Sequence, residues 1–387
     1  MKLLIIYHAG LAEDAKAIFK EYASQGIDLA VIVPFKFYSS IGRCFEYGEK
    51  DDDKTYRFIP IELKTGFNFF RLFRAIKQTK PDVIHVLDEY SSIYLAQAIL
   101  CRNILYGKKV PVLAYVFQNI PFKSPPFIFE FSIRFFKRIV YKTFYPLIFY
   151  YHKKNVNGIA GGNSEALLNV KNLNPNVPAR LIFWGVDLKK FSSKNRNACR
   201  EKLGIQKGIK MFGYFGRIIK LRGLDKLILA MSKIDDCNLM IVGDGEYKDK
   251  LNKLIVSLGI QNKIHWHNSV KLREIADYYN SIDAFVFPSQ TTFTCKEQYG
   301  RVLVEAMSCQ IPIVGSSSGA IPEVLNGYPK HLIFKEDSVD DLIDKLNKIT
   351  DLKFPENFNI NNFLQKFSIE NFVSENIKFY QNFLKND

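Results

Sequence analysis

The sequence predicts two α/β domains in tandem, each built on a doubly wound parallel sheet. Three observations carry this. The chain has 387 residues, more than one hydrophobic core usually organises. Short apolar runs of strand length recur along both halves, bounded by turn or polar residues, as buried parallel strands do. Between these runs lie amphipathic stretches of helical period, and strictly alternating strands and helices make a parallel sheet.

In the first half the strand candidates are 2–7, 28–33, 57–61, 82–86, 110–116, 156–160 and 179–183. Helix candidates include 12–25 and 67–79, and Pro81-Asp82 punctuates the entry to the fourth strand. In the second half the strands are expected at 210–215, 238–242, 263–267, 283–287, 311–314 and 331–334. The helices there are expected at 223–233, 246–258, 271–280, 300–308, 321–326 and 338–349. The polar stretch 187–199 is the expected joint. The domains are then 1–190 and 191–365, with 366–387 as a separate helix that crosses back to the first domain. Ligands of open α/β sheets bind beyond the carboxyl ends of the strands, so two such domains are expected to face one central cleft.

Hydrophobic residues make up 47% and charged residues 24% of the chain, which excludes a disordered protein. Cys44, Cys101, Cys199, Cys237, Cys295 and Cys309 are scattered without a C-x-x-C pair. They read as reduced, mostly buried thiols of a cytosolic protein rather than a disulfide or zinc framework. The start, Met1 to His8, has too short an apolar run for a signal peptide and reads as a buried first strand. The net charge of +15 is uneven: residues 1–194 carry 28 Lys+Arg against 16 Asp+Glu, and 195–387 carry 26 against 23. A basic first half suggests an anionic surface or ligand, and no nucleic-acid motif accompanies it.

The strongest chemical signal runs from Pro288-Ser289 to Lys296-Glu297-Gln298-Tyr299-Gly300-Arg301-Val302-Leu303-Val304-Glu305-Ala306-Met307. It reads as strand, loop and a helix whose free N-terminal amides and dipole suit a diphosphate. Gly300 allows close backbone approach. Tyr299, Gly300, Arg301, Val302 and Leu303 are then expected to line a nucleotide donor. Glu305, one turn into the helix, can accept hydrogen bonds from a ribose diol, and Glu297 can hold sugar hydroxyls. Arg217 and Arg222 follow the strand 210–215 and can clamp a diphosphate, stabilising charge that develops on the leaving phosphate. Two solvated glutamates and two surface arginines are the plain alternatives.

The run from Pro288 to Val324, which ends in Gly319-Ala320-Ile321-Pro322-Glu323-Val324, resembles the signature of the retaining glycosyltransferases of family 4. Val242-Gly243-Asp244-Gly245, Tyr214-Phe215-Gly216-Arg217, Arg222-Gly223-Leu224 and Gly185-Val186-Asp187 extend the resemblance over nearly the whole second half. It thins in the first half to Pro81-Asp82-Val83-Ile84-His85 and Phe117-Gln118-Asn119. The resemblance implies a GT-B fold of two Rossmann-like domains and a retaining, metal-independent transfer from a nucleotide-sugar donor (UDP-, GDP- or ADP-linked). It implies catalytic roles for Glu297, Arg217 and Arg222, and makes Gly243 part of the wall of the donor pocket. Arg222 departs from the family's usual Lys, keeping the charge but presenting a planar fork. Many relatives carry His where this chain has Gln118-Asn119, and Gln cannot act as a general base. A mechanism in which the departing phosphate takes the acceptor proton needs no such base.

His8 and Gly10 end the first strand and are expected to line the cleft, Gly10 towards the donor and His8, with Gln118 and Asn119, on the acceptor or sugar side. His85 reads as structural. No metal is expected: His265 and His267 lack a third ligand, and Asp51-Asp52-Asp53 lies in a Lys-rich loop. No cofactor is expected beyond the nucleotide-sugar substrate. The segment 122–154 mixes seven Lys+Arg and a single acid, Glu130, with many aromatics, which fits either a helix lying on an anionic bilayer or an aromatic-rich core helix. The expected setting is cytoplasmic and peripheral on the inner membrane face, with a lipid-linked or surface-polysaccharide acceptor. Two other functions on the same scaffold stay open: a nucleotide-sugar epimerase and a non-catalytic sugar-nucleotide scaffold.

Overall fold

The computed structural model describes residues 1–38, 44–48, 53–62, 69–121, 146–206, 208–271, 274–293 and 295–384. The chain divides into two units, Met1–Gly185 with Ile369–Asp387, and Val186–Ser368. The first unit ends ahead of the polar stretch 187–199 because the chain has already changed sides at Val186. There the backbone amide donates to the Phe367 carbonyl at 2.8 Å and the residue bridges Ser368 in parallel.

The first unit contains β1 (Lys2–Ile6), α1 (Glu13–Ser24), β2 (Asp28–Pro34), β3 (Lys36–Tyr38), β4 (Cys44–Glu46), β5 (Arg57–Ile61), α2 (Phe69–Thr79), β6 (Val83–Val86), α3 (Ile93–Tyr106) and β7 (Val112–Val116). It continues with α4, whose described part is 146–155, β8 (Gly158–Gly161), α5 (Ser164–Leu173) and β9 (Ala179–Leu181). Seven strands form a parallel sheet in the order β5-β2-β1-β6-β7-β8-β9. Helices cover both faces, so β1, β6 and β7 are almost wholly buried, which is why they read as continuous apolar runs. All seven expected strands are present. The hairpin β3-β4 was not expected.

The last helix, Ile369–Leu384, belongs to this unit and packs on α1. Its Tyr380 hydroxyl lies 2.9 Å from the Tyr22 hydroxyl and 2.6 Å from His85 Nδ1, all three fully buried. Gly158 makes room for it: a Cβ there would stand 2.7 Å from the Phe383 ring. His85 therefore fastens this helix to the sheet, and burial pushes its pKa down to about 3.

The second unit contains α6 (Arg196–Lys202), β10 (Lys210–Phe215), α7 (Leu224–Met231), β11 (Cys237–Val242), α8 (Lys248–Ser257), β12 (Ile264–His267), α9 (Ile275–Ser281) and β13 (Ala284–Phe287). After these come α10 (Arg301–Ser308), β14 (Ile313–Ser316), α11 (Ile321–Leu325), β15 (His331–Phe334), α12 (Val339–Lys348) and α13 (Ile360–Gln365); the closing helix of the chain is thus α14. Six parallel strands stand in the order β12-β11-β10-β13-β14-β15. Counted within the unit, that is 3-2-1-4-5-6, the order of the dinucleotide-binding α/β fold, in which strand order reverses between the first and fourth strands. The reversal here lies between β10 and β13. At the opposite end of these strands, Asp283 accepts from Arg200, Arg196 and the Met211 amide and so ties α6 to β10.

Candidate active site

In the second unit the reversal point is where site residues gather. β10 runs out at Phe215 into Gly216 and Arg217, and β13 into Pro288 and Ser289. Glycines let the two exits meet. Gly223 has φ 62°, and a Cβ on it would lie 2.1 Å from the Pro288 carbonyl oxygen. Gly243, after β11, has φ 148° and would press a Cβ to 1.9 Å from the Gly216 oxygen. The Gly243-Asp244-Gly245 turn is thus laid directly on the turn after β10, with Ile218 N donating to Asp244 O at 2.9 Å. The demand for glycine at 243 comes from this backbone contact.

Arg222 ends a single helical turn, Lys220–Arg222. Its guanidinium donates to the Ser289 hydroxyl at 2.9 Å, forms an ion pair with Glu297, and lies over the Phe287 ring with its carbon 5.1 Å from the ring centre. Arg222 and Glu297 keep only 15% and 9% of their side-chain surface, so the pair is desolvated. Burial works against the guanidinium charge, but Glu297 and Tyr214 beside it more than offset that, and Arg222 stays cationic. Ser289 in turn lies 3.3 Å from the Glu297 carboxylate, and its carbonyl accepts from the buried Ser316 hydroxyl at the end of β14. The Tyr214 hydroxyl donates to the Arg217 carbonyl at 2.7 Å, pinning the backbone of the other expected cation.

Gly300 is the N-cap of α10, at φ 75°, where a Cβ would meet Leu303 at 3.0 Å and Phe287 at 3.2 Å. Arg301, Val302 and Leu303 form the first turn of α10, and Tyr299 is buried just ahead of it. Glu305 faces α9, where the buried Tyr279 hydroxyl donates to its carboxylate at 2.9 Å and also lies 3.2 Å from the Val302 carbonyl oxygen. The structure therefore joins Arg222, Ser289 and Glu297 in one cluster and gives Glu305 a partner of its own. The sequence motifs containing Tyr214 and Ser316 give neither residue a role, and Tyr279 stands in no motif; all three come from strand and helix interiors that read as core.

The first unit has the same reversal, between β1 and β6. His8 follows β1 and stands 4.0 Å from the Asp88 carboxylate, with the rings of Tyr7 and Phe37 each 5.5 Å from its own. Gly10 is a packing requirement: a Cβ would meet Val33 at 2.7 Å. Asn119 is buried, and Gln118 is partly exposed beside it. Glu89, which drew no notice as one acid in a turn, accepts the backbone amides of Phe117 and Gln118, each at 3.1 Å. Burial pushes its carboxyl up to about 7, against the pull of those two bonds and with the help of Asp88.

Of the acidic run, Asp51 and Asp52 lie outside the described residues, while Asp53 binds Thr55 and pairs with Lys20 at 3.2 Å. Among the described residues no three His, Cys, Asp or Glu side chains converge as a metal site. His265 is held by Asn238 at 2.9 Å. No described helix is long and apolar enough to cross a membrane, and 122–145 of the basic segment lie outside the described residues.

Comparison with known proteins fits this geometry. Residues 195–364 match the family described as glycosyl transferases group 1. An uncharacterized glycosyltransferase of Methanocaldococcus jannaschii is 29% identical over 54% of this chain and 55% of its own length. The sulfoquinovosyl transferase of Arabidopsis thaliana is 25% identical over 76% of this chain and 54% of its own length. The chain thus spans about half the length of these curated relatives. Among solved structures, sucrose-phosphate synthase from Thermosynechococcus elongatus superposes with a TM-score of 0.71 at 16% identity, covering all of both chains. The Anabaena protein HepE in complex with UDP reaches 0.72 at 15% identity, covering 99% of this chain and 100% of that one. The fold is therefore α/β of the GT-B type.

Proposed function

We propose, starting from the match of residues 195–364 to the group 1 glycosyl transferases, that the chain moves a sugar with retention from a nucleotide-sugar donor to an acceptor hydroxyl. The observation that carries this is the cluster at the β10/β13 reversal. A desolvated arginine, a carboxylate and a serine hydroxyl sit together there, and Arg217 follows the same strand, β10. Arg217 and Arg222 take the donor diphosphate, with the α10 N-terminus after Gly300 adding backbone amides. Glu305, fixed by Tyr279, takes the ribose; Glu297 takes sugar hydroxyls. Charge that develops on the departing phosphate is met by cations already in place, which is how such a site lowers a barrier. That phosphate takes the acceptor proton, so neither Gln118 nor a metal ion has to act as base or Lewis acid.

A UDP-linked donor is favoured first, since the solved neighbour HepE is described with UDP and with UDP-glucose. The first unit's strand-end loops, with His8, Gln118 and Asn119, serve the acceptor. A lipid-linked or surface-polysaccharide acceptor at an anionic membrane fits the basic segment 122–154 and the described end of α4. There Leu147 and Tyr150 are exposed and Lys154 lies 4.4 Å from the centre of the Tyr150 ring. Isothermal titration of UDP, GDP and ADP tests the donor assignment. One of the three should bind, and Glu305→Gln should weaken it; no binding of any would remove the reading.

A further inference from the structure

The Phe117-Gln118 turn after β7 is held on every backbone polar group. Its two amides donate to the two oxygens of Glu89, at 3.1 Å each. Its two carbonyls accept from side-chain amides of α5 and its cap: Asn163 Nδ2 to Phe117 O at 2.9 Å and Asn169 Nδ2 to Gln118 O at 3.2 Å. The Phe117 ring lies against Gly162, where a Cβ would come within 2.5 Å of it. A strand-end turn on a sheet needs no such fixing for the sheet's own sake, because β7 already pairs with β6 and β8. Charge-assisted bonds from paired amides to one carboxylate are short-range and directional. They define where the Gln118 side chain starts.

We infer that Glu89 is a positioning residue for transfer: its carboxylate, bridging the Phe117 and Gln118 amides opposite Asn163 and Asn169, fixes the turn that presents Gln118 to the acceptor. This rests on the transfer reading above for its purpose, but its geometry stands within the first unit alone. The tie depends on charge. An ionised carboxylate offers an acceptor to each amide, whereas the protonated acid turns one oxygen into a donor. With the Glu89 carboxyl pushed up to about 7 by burial, the turn should tighten as pH rises through neutrality. Asp88 is the charged neighbour that adds to this rise. Asp88 itself takes a hydrogen bond from Ser92, lies 4.0 Å from the His8 imidazole and is faced by Tyr94 of α3.

Amide hydrogen exchange followed by mass spectrometry on the full chain tests this without donor or acceptor. After correction for intrinsic exchange, the 117–118 amides of the unsubstituted protein should gain protection between pH 6 and 8. In Glu89→Gln that gain should vanish, and exchange at pH 8 should be about tenfold faster or more, with β7 and α5 unchanged. Asn169→Ala should loosen the same turn while keeping the pH-dependent gain. Unaltered protection in Glu89→Gln, or a loss spread equally over β7 and α5, would overturn the assignment. If the protein proved not to transfer sugars, this outcome would be unaffected. A turn that tightens as inferred in an active enzyme should also show a fall in kcat for Glu89→Gln with the Michaelis constant for the donor unchanged.

Discussion

Arg222 and Glu297, 75 residues apart in sequence, form a desolvated ion pair at the strand ends of the second sheet, with Ser289 bonded to both. Removing either group leaves the other in a low-dielectric setting without its ion-pair partner, and that dictates the first expectation. Arg222→Ala and Glu297→Ala should each lower the free energy of unfolding by about 3 kcal/mol. The double variant should lose clearly less than the sum, with a coupling of at least about 1 kcal/mol. Denaturant titration of the four proteins measures it; additive losses would mean the pair does not form in solution.

For activity, Arg217→Ala and Arg222→Ala should each cost on the order of a hundredfold in turnover, since a cation aimed at the leaving phosphate acts mainly in the transition state. Arg222→Lys should recover part of the loss, because the charge returns but the fork to Ser289 and Glu297 does not. Steady-state kinetics with a donor that binds decides this. Near-normal rates for both Ala variants would put the diphosphate elsewhere.

Tyr279 offers a gentler probe of Glu305. Tyr279→Phe deletes one hydrogen bond to the carboxylate and keeps the ring. Nucleoside diphosphate affinity should fall roughly fivefold, as expected for about 1 kcal/mol, while turnover at saturation stays unchanged. Calorimetric titration reads the affinity. If Tyr279→Phe left it unchanged while Glu305→Gln weakened it, Glu305 would bind ribose without needing Tyr279 for its orientation.

Much of the fold could be read from the chain because β1, β6, β10 and β13 are buried on both faces and therefore uninterrupted in apolar character. The hairpin β3-β4 escaped notice. Its strands are three residues long and half-exposed, too short for any period to show. Local chemistry made the placement of Gly300 at a loop-to-helix junction legible, with Glu297 ahead of the helix and Glu305 within it. The site was not legible where partners are distant in sequence. Glu89 meets Gln118 from 29 residues away, and Tyr380 meets Tyr22 from 358, so a lone acid in a turn and a tyrosine on a terminal helix look ordinary until the sheet brings their partners to them.

Two buried histidines add to the loss of stability on the acid side. The pKa of His85 falls to about 3 and that of His152 to about 4, both through burial. The unfolded chain, with histidines near 6.5, then binds more protons than the folded one below that pH. Their contribution is complete above about pH 6.5 and is lost progressively as pH falls towards 4 and 3. A His85→Gln variant should be less stable at pH 7 but lose less on acidification than the unsubstituted protein. Unfolding midpoints across pH 4 to 8 test this, and parallel curves would mean His85 is not buried neutral.

Glycine 243 separates steric contact from backbone strain. Gly243→Ala must move either the Gly216 carbonyl or its own turn, because the added carbon would sit 1.9 Å from that oxygen. Gly26→Ala also acts at positive φ, 77°, but in open space. Gly26→Ala should cost about 1 kcal/mol, and Gly243→Ala distinctly more, together with donor binding. Equal midpoints for the two would show that the turns after β10 and β11 are not in contact.

The protein is expected to transfer the sugar with retention. The measurement that tests it most directly is proton NMR of the first-formed sugar product when the protein is incubated with UDP-, GDP- and ADP-linked α-hexoses of gluco or galacto configuration, with a hydroxyl-bearing glycan acceptor and water as the alternative acceptor, read from the anomeric coupling constant. Turnover of one donor is expected, with an α-configured first product carrying the small coupling of an equatorial anomeric proton, and the same product in the presence of a metal chelator. A β-configured first product would require inversion and a general base that Gln118 cannot supply; no turnover of any of the three would contradict transfer itself.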